Sequence, residues 1–194
     1  MARRMSKKKG NYALSWRYLK ESEIYFLIIF IVFALSFIIG YIFPVFFVDL
    51  IKKIIEELLR KTEGMNFWQL LFFVLKNNVT TAFIGMILGL ILGIIPLLLV
   101  IFNGYVLGFV AIKTASNSGL SSLLRLLPHG VFEIPALVIS LGLGLKLARF
   151  IFAREKKKLL VYDLKNSLRV FLFVIIPLLI IAAIIETSLI FLLK

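Results

Sequence analysis

No cysteine occurs among the 194 residues. Disulfides, a thiolate nucleophile and thiolate metal ligation are therefore excluded. Histidine occurs once, at His129, and a single imidazole without thiolates does not furnish a usual zinc shell. Acidic residues number 10 against 23 Lys and Arg. The apolar runs hold no aspartate from which a Ser-His-Asp arrangement would be assembled. A water-soluble fold is also excluded: 61% of the residues are hydrophobic, where soluble domains hold about 45–50%.

What the chain has instead is long apolar sequence. Several runs exceed the roughly 18–20 residues that cross about 30 Å of hydrocarbon. The fold class is all-α: a polytopic transmembrane helix bundle of about five spans, with a short or broken third span and an amphipathic helix on the outer leaflet. The first run is too long for a signal-peptide core, and no small-residue cleavage pattern follows it, so it reads as a span.

The formal net charge of +13 is concentrated at two places. Arg3, Arg4, Lys7, Lys8, Lys9, Arg17 and Lys20 precede the first span. Arg149, Arg154, Lys156, Lys157, Lys158, Lys165 and Arg169 surround the last inter-helix segment. This is the positive-inside distribution, with an added attraction to anionic headgroups, so the lipid bilayer is the first partner. No aromatic-interleaved basic groove accompanies the charge, which argues against nucleic acid.

Residues 1–22 read as a basic cytoplasmic arm ending in Trp16-Arg17-Tyr18, a set suited to the headgroup layer. Residues 23–194 read as one transmembrane domain, with spans at 24–47, 79–102, 105–115, 129–152 and 168–192. An amphipathic interfacial segment covers 49–75. There Leu50, Ile51, Ile54, Ile55, Leu58 and Leu59 recur at helical spacing, and Glu56–Arg60 and Glu57–Lys61 have the favoured acid-first order. This segment is either an interfacial helix or a docking surface for a partner helix. Asn66 caps a short piece over 67–75 that does not span alone, and Lys76-Asn77-Asn78 interrupts it.

Gly85, Gly89 and Gly93 form a stripe of small residues four apart, and Gly104 and Gly108 form a second pair. Such stripes let backbones approach closely, either within the chain or across a homodimer. Pro96 is expected to kink the second span and Asn103-Gly104 to turn the chain. The third span, holding Lys113, is then short. A basic connector over 153–166 leads to the fifth span, and Lys146 and Arg149 are expected to snorkel towards the inner interface. With five crossings the N-terminus and the connector are cytoplasmic, and the 49–75 segment and the C-terminus lie outside.

One stretch concentrates the polar chemistry. His129 and Glu133 are one helical turn apart, preceded by Pro128 at a position suited to a first helical turn and accompanied by Gly130. Lys113, Glu186 and Arg125, from neighbouring segments, fall at the same depth. A lone charge at a helix centre costs about 2.5–3.5 kcal/mol on insertion scales, so such residues face protein or water and pair. Four readings stand: a buried hydrogen-bonded clasp; a pocket for a solute, lipid headgroup or ion; a proton-linked step through His129 and Glu133; and a metal or hydrolase site, which the HGxxE pattern fits poorly because it is not HExxH. No catalytic residue, metal or cofactor is assigned.

Asn77-Asn78, the glycines ending at Gly93, Asn103-Gly104 with Gly108, and Pro128-His129-Gly130-Val131-Phe132-Glu133 follow one another in an order that resembles the stage II sporulation protein M family. The resemblance covers about residues 20–192. It implies a five-helix membrane protein of a kind found in bacteria and archaea. In endospore formers it implies a role in engulfment, beside membrane-anchored peptidoglycan-degrading partners, as an assembly component rather than the hydrolase. It marks His129, Gly130, Glu133, Asn103 and Gly104 as motif residues. The Ile-, Lys- and Glu-rich composition suits a thermophile of archaeal kind. The function expected is a non-enzymatic assembly or scaffold component of a membrane complex. It would form a homo-oligomer, a dimer favoured, and engage other membrane proteins. The alternative is a small channel or transporter with an outer-facing polar cavity around HGxxE.

Overall fold

The computed structural model describes residues 10–118 and 127–192, and of residues 117, 118 and 127–129 the backbone alone. Arg3, Arg4, Lys7, Lys8, Lys9 and Arg125 lie outside the described residues. The described chain is an all-α bundle. Its helices are α1 (Asn11–Lys20), α2 (Glu23–Ile42), α3 (Val48–Thr62), α4 (Phe67–Ile87), α5 (Ile94–Ser118), α6 (Leu127–Leu147), α7 (Lys156–Val170) and α8 (Ile176–Leu192). Five of the helical runs are long and apolar enough to span: Glu23–Ile42, Phe67–Leu90, Ile94–Ser116, Gly130–Phe152 and Lys156–Leu192.

The count of five agrees with the hydropathy, but the second and third spans lie elsewhere. The second begins at Phe67, not at 79, because Asn66 and Gln69 form a capping box. The Gln69 N–H donates to Asn66 Oδ1 and the Asn66 N–H to Gln69 Oε1, each at 3.0 Å. Two orphan donors of the first turn are thereby satisfied. The helix then runs straight through Lys76-Asn77-Asn78. These polar residues do not interrupt it, because within a bilayer the helix is the conformation that satisfies the backbone.

The turn falls at Leu92-Gly93, where both residues are left-handed, with φ of 54° and 70°. Gly93 is thus a turn residue as well as a packing one. Pro96 sits in the first turn of α5, where a missing N–H costs nothing, and does not break the helix. Asn103-Gly104 is not a turn. It lies inside α5, and the Asn103 amide donates to the Leu99 carbonyl at 2.8 Å. The third span is therefore 23 residues long and unbroken. The 153–166 connector is largely helical too: α7 continues through a π turn at Phe171–Ile175 into α8, giving a 37-residue rod. Pro177 accounts for the π turn, since it lacks an N–H and its ring would meet the Phe173 carbonyl one turn back.

The glycines decide how closely these rods pack. A Cβ on Gly89 would overlap the backbone of Gly144, and one on Gly144 would lie 2.8 Å from the Gly85 carbonyl, so α4 and α6 touch backbone to backbone. Ser140 on α6 seals this contact with a 2.6 Å hydrogen bond to the Ala82 carbonyl on α4. Gly40 on α2 faces the Tyr105 carbonyl, and Gly104 and Gly108 face the carbonyls of Phe33 and Phe37, which welds α2 to α5. Both stripes therefore pack within the chain. α6 is the most buried span and touches α2, α4, α5, α7 and α8. Met86, Leu143, Leu147, Ile175 and Leu179 fill the core around it.

At one end, Tyr105 holds the turn from α2 into α3. Its hydroxyl accepts the Phe46 N–H at 2.9 Å and shares its proton between the carbonyls of Phe43 and Phe46, at 2.9 and 3.0 Å. Ile51 of α3 packs on Tyr105 and Phe109.

Gly89→Ala is expected to lower unfolding free energy by about 1–3 kcal/mol, the usual cost of overpacking. Gly10→Ala, which meets nothing within 4 Å among the described residues, is expected to stay within about 0.5 kcal/mol of wild type. Denaturation of the detergent-solubilised chain measures both.

Candidate functional site

Beneath α3 lies a cavity of about 930 Å³, and the acidic residues of the bundle meet there. Glu133 comes from the second turn of α6 and Glu186 from α8; Asn77 and Asn78 come from the middle of α4. α3 and the turn after it supply Glu56, Arg60, Thr62 and Glu63. Leu58, Leu59, Met65, Leu70, Phe73, Val74 and Ile190 make the apolar part of the wall. Lys76-Asn77-Asn78 is thus tolerated inside a span because the two amides open onto a polar space, which is where membrane helices keep such groups.

Glu133 and Glu186 are half-buried, and neither has a hydrogen-bond or ion-pair partner among the described residues. Of the charge pairs expected on α3, Glu57 and Lys61 form a 2.7 Å ion pair. Glu56 and Arg60 line the cavity instead.

The remaining residues of the expected hub are not all brought together. Lys113 is exposed, rests over the Phe109 ring at 5.8 Å, and does not line the cavity. His129 lies in the first turn of α6, one turn before Glu133, with its side chain outside the described part. Among the described residues, a Cβ on Gly130 would meet Ile134 at an ordinary 3.6 Å and nothing closer. Among the described residues no three His, Asp or Glu side chains are grouped as metal ligands.

A second polar cluster, at the opposite end, was not visible in the sequence. Asp163 of α7 is fully buried and takes both guanidinium arms of Arg149, at 2.7 and 2.8 Å. The Tyr18 hydroxyl of α1 donates to the same carboxylate at 3.0 Å. Burial pushes the Tyr18 hydroxyl well above its ordinary range, so it remains a donor. Lys146 does not snorkel. It is buried over the Tyr18 ring, 3.8 Å from its centroid, and donates to Ser22 Oγ at 2.8 Å and the Glu21 carbonyl at 3.2 Å.

Burial works against the charge on Glu21, but bonds from Arg17 and Tyr162 hold its carboxyl below the usual range. Tyr18 and Asp163 are 145 residues apart in the chain, so no local pattern announces the pairing. The one clue was a lysine inside the apolar run around Lys146.

Arg149 and Asp163 are paired and Lys146 is hydrogen-bonded to Ser22 and the Glu21 carbonyl, which makes the cluster a clamp rather than a binding site. Breaking a buried pair costs about 3–5 kcal/mol. The Arg149 side chain is 36% exposed, so Asp163→Asn is expected to destabilise by about 2–3 kcal/mol after solvent screening. Tyr18→Phe is expected to cost about 1 kcal/mol. Thermal unfolding in detergent reads both.

Comparison with known proteins bears on the whole bundle. The family model for stage II sporulation protein M matches residues 26–189, which reaches into all five spans and takes in both Glu133 and Glu186. Two uncharacterized proteins of Methanocaldococcus jannaschii are similar. One is 35% identical over 60% of this chain and 53% of its own length. The other is 33% identical over 58% of this chain and 66% of its own length. The chain thus matches between half and two thirds of these relatives, and both are archaeal. No solved structure matches. Five apolar helices, the order of the Asn, Gly and HGxxE motifs, and the match across nearly the whole chain lead to one conclusion: this protein belongs to the stage II sporulation protein M family.

Proposed function

We propose that this protein carries out no chemistry of its own. It acts as an assembly component of a membrane complex, receiving a cationic or hydrogen-donating group of another molecule in the cavity beneath α3. The observation that carries this reading is the pair Glu133 and Glu186, which line the cavity without a partner among the described residues. Lys113, a cation expected to clasp them within the bundle, lies outside the cavity. Glu56, Glu63, Glu133 and Glu186 outnumber Arg60 in this partly apolar space, which suits a positively charged guest held by charge-assisted hydrogen bonds. With the basic α1/α7 end in the cytoplasm, the cavity opens to the outside.

The channel reading is less well supported. Met86, Leu143, Leu147 and Leu179, each at most 2% exposed, fill the bundle below the cavity, and the Asp163 cluster closes its far end. Oligomerisation through glycine stripes also loses support, because those stripes are occupied within the chain. Leu50 and Ile54 of α3, outside the cavity lining, remain exposed and offer the better surface for other membrane proteins.

Butylammonium and arginine amide, with butyrate as the anionic control, test this in a thermal-shift titration of purified protein. Near-saturating cation stabilises by about 2.7 kcal/mol at a hundred times Kd, a shift of several degrees for a chain of this size. Glu133→Gln/Glu186→Gln should fold and lose that shift. An equal response in the double variant would sink the receiving cavity, and cation flux into liposomes that needs both glutamates would favour transport instead.

A further inference from the structure

A second concavity lies on α7 and the π turn, away from the acidic cavity. It is a groove of about 430 Å³ lined by Val161, Leu164, Lys165, Leu168, Arg169, Leu172 and Phe173. These residues recur at helical spacing, so they form one strip about 18 Å long on a helix rising 1.5 Å per residue. The strip changes character along its length. Lys165 and Arg169, one turn apart, make it basic near the middle, and Leu168, Leu172 and Phe173 make it apolar towards α8.

The rod carrying the groove has 37 residues, about 55 Å at the same rise. It overshoots a hydrocarbon layer of about 30 Å. The basic stretch therefore sits where the rod leaves the hydrocarbon, and the apolar stretch where it enters.

The charge of the groove is not neutralised. Elsewhere at this end, Arg149 is paired with Asp163, Arg17 with Glu21 and Lys158 with Glu155, and Lys146 is bonded to Ser22. Lys165 and Arg169 have no carboxylate within ion-pair reach among the described residues. Arg169 is nevertheless held in place, by a 2.6 Å bond from Nη1 to Asn166 Oδ1. Leu172 and Phe173 belong to both the groove and the π turn, a deformation often found at functional sites. Tyr12 of α1 packs edge-on against Phe173, with ring centroids 5.3 Å apart, and fixes the apolar end.

We propose that this groove binds one anionic phospholipid. Its phosphate sits between Lys165 and Arg169, and one acyl chain lies along Leu168, Leu172 and Phe173. The two cations supply the anion contact and the apolar strip supplies the tail contact, a combination that a free phosphate does not use. The site is independent of the cavity beneath α3.

Native mass spectrometry of the full chain tests the assignment, using an equimolar mixture of phosphatidylglycerol and phosphatidylcholine with matched chains. The wild type should retain a single lipid, enriched in phosphatidylglycerol by roughly tenfold or more, as two basic contacts give. Lys165→Gln/Arg169→Gln should bring the enrichment to within about twofold of parity. Lys156→Gln/Lys157→Gln removes the same charge from the same helix outside the groove and should leave the enrichment intact. Lys165→Arg/Arg169→Lys, which keeps the charge, should retain it and guards against misfolding in the first variant. Equal loss in both glutamine variants would assign the preference to the diffuse field of the basic end. Displacement by inorganic phosphate, or no enrichment in the wild type, would likewise overturn the proposal.

Discussion

Backbone contact between helices is what the rest of this structure depends on. In a bilayer the lipid tails are as apolar as leucine, so burying apolar side chains gives helices little reason to associate. Association must come from close van der Waals approach and from hydrogen bonds that lipid does not offer. Here both occur at one seam, where Gly89 meets Gly144 and Ser140 donates to the Ala82 carbonyl. A second seam joins α2 to α5 through Gly40, Gly104 and Gly108. With the backbones this close, α6 lies among its neighbours, and the positions of Glu133 and Glu186 follow from where α6 and α8 are held.

The two ends of the bundle treat polarity in opposite ways. At the α1/α7 end, Asp163, Arg149, Tyr18, Lys146 and Ser22 satisfy one another. Buried polar groups arranged like this rigidify the structure around them. At the α3 end, the Glu133 and Glu186 carboxylates line a cavity without partners among the described residues, beside Asn77 and Asn78, whose amides bond to each other at 3.3 Å. A site able to bind has to keep its hydrogen-bonding capacity unspent, and only the second arrangement does so.

Much of this was legible in the sequence, for identifiable reasons. Apolar run length marks four full spans and leaves the 105–115 run as a short fifth, and the intramembrane acids Glu133 and Glu186 stand out because such residues are rare in hydrocarbon. The boundaries of the second and third spans did not follow. In water, Lys76-Asn77-Asn78 and Asn103-Gly104 have the chemistry of turns, whereas within a bilayer the helix satisfies the backbone and the amides find a cavity or a carbonyl. The four-residue glycine spacing marks Gly93 only as a packing residue, and its left-handed φ shows that it also ends the second span. The Asp163 cluster was invisible because its partners come from three distant segments. Arg60 and Thr62 joined the cavity only once α3 was placed over it.

The π turn at Phe171–Ile175 has a mechanical meaning. A single continuous helix carries Asp163 in the clamp at one end and Glu186 in the cavity at the other. A π turn winds through a smaller angle per residue than an α turn, so it sets the compass bearing of Glu186 relative to Asp163. Pro177 fixes that offset by denying the helix a regular turn. The rod is thus keyed at both ends. The clamp orients its lower half, and the wound-out turn determines which way its upper half points its acid.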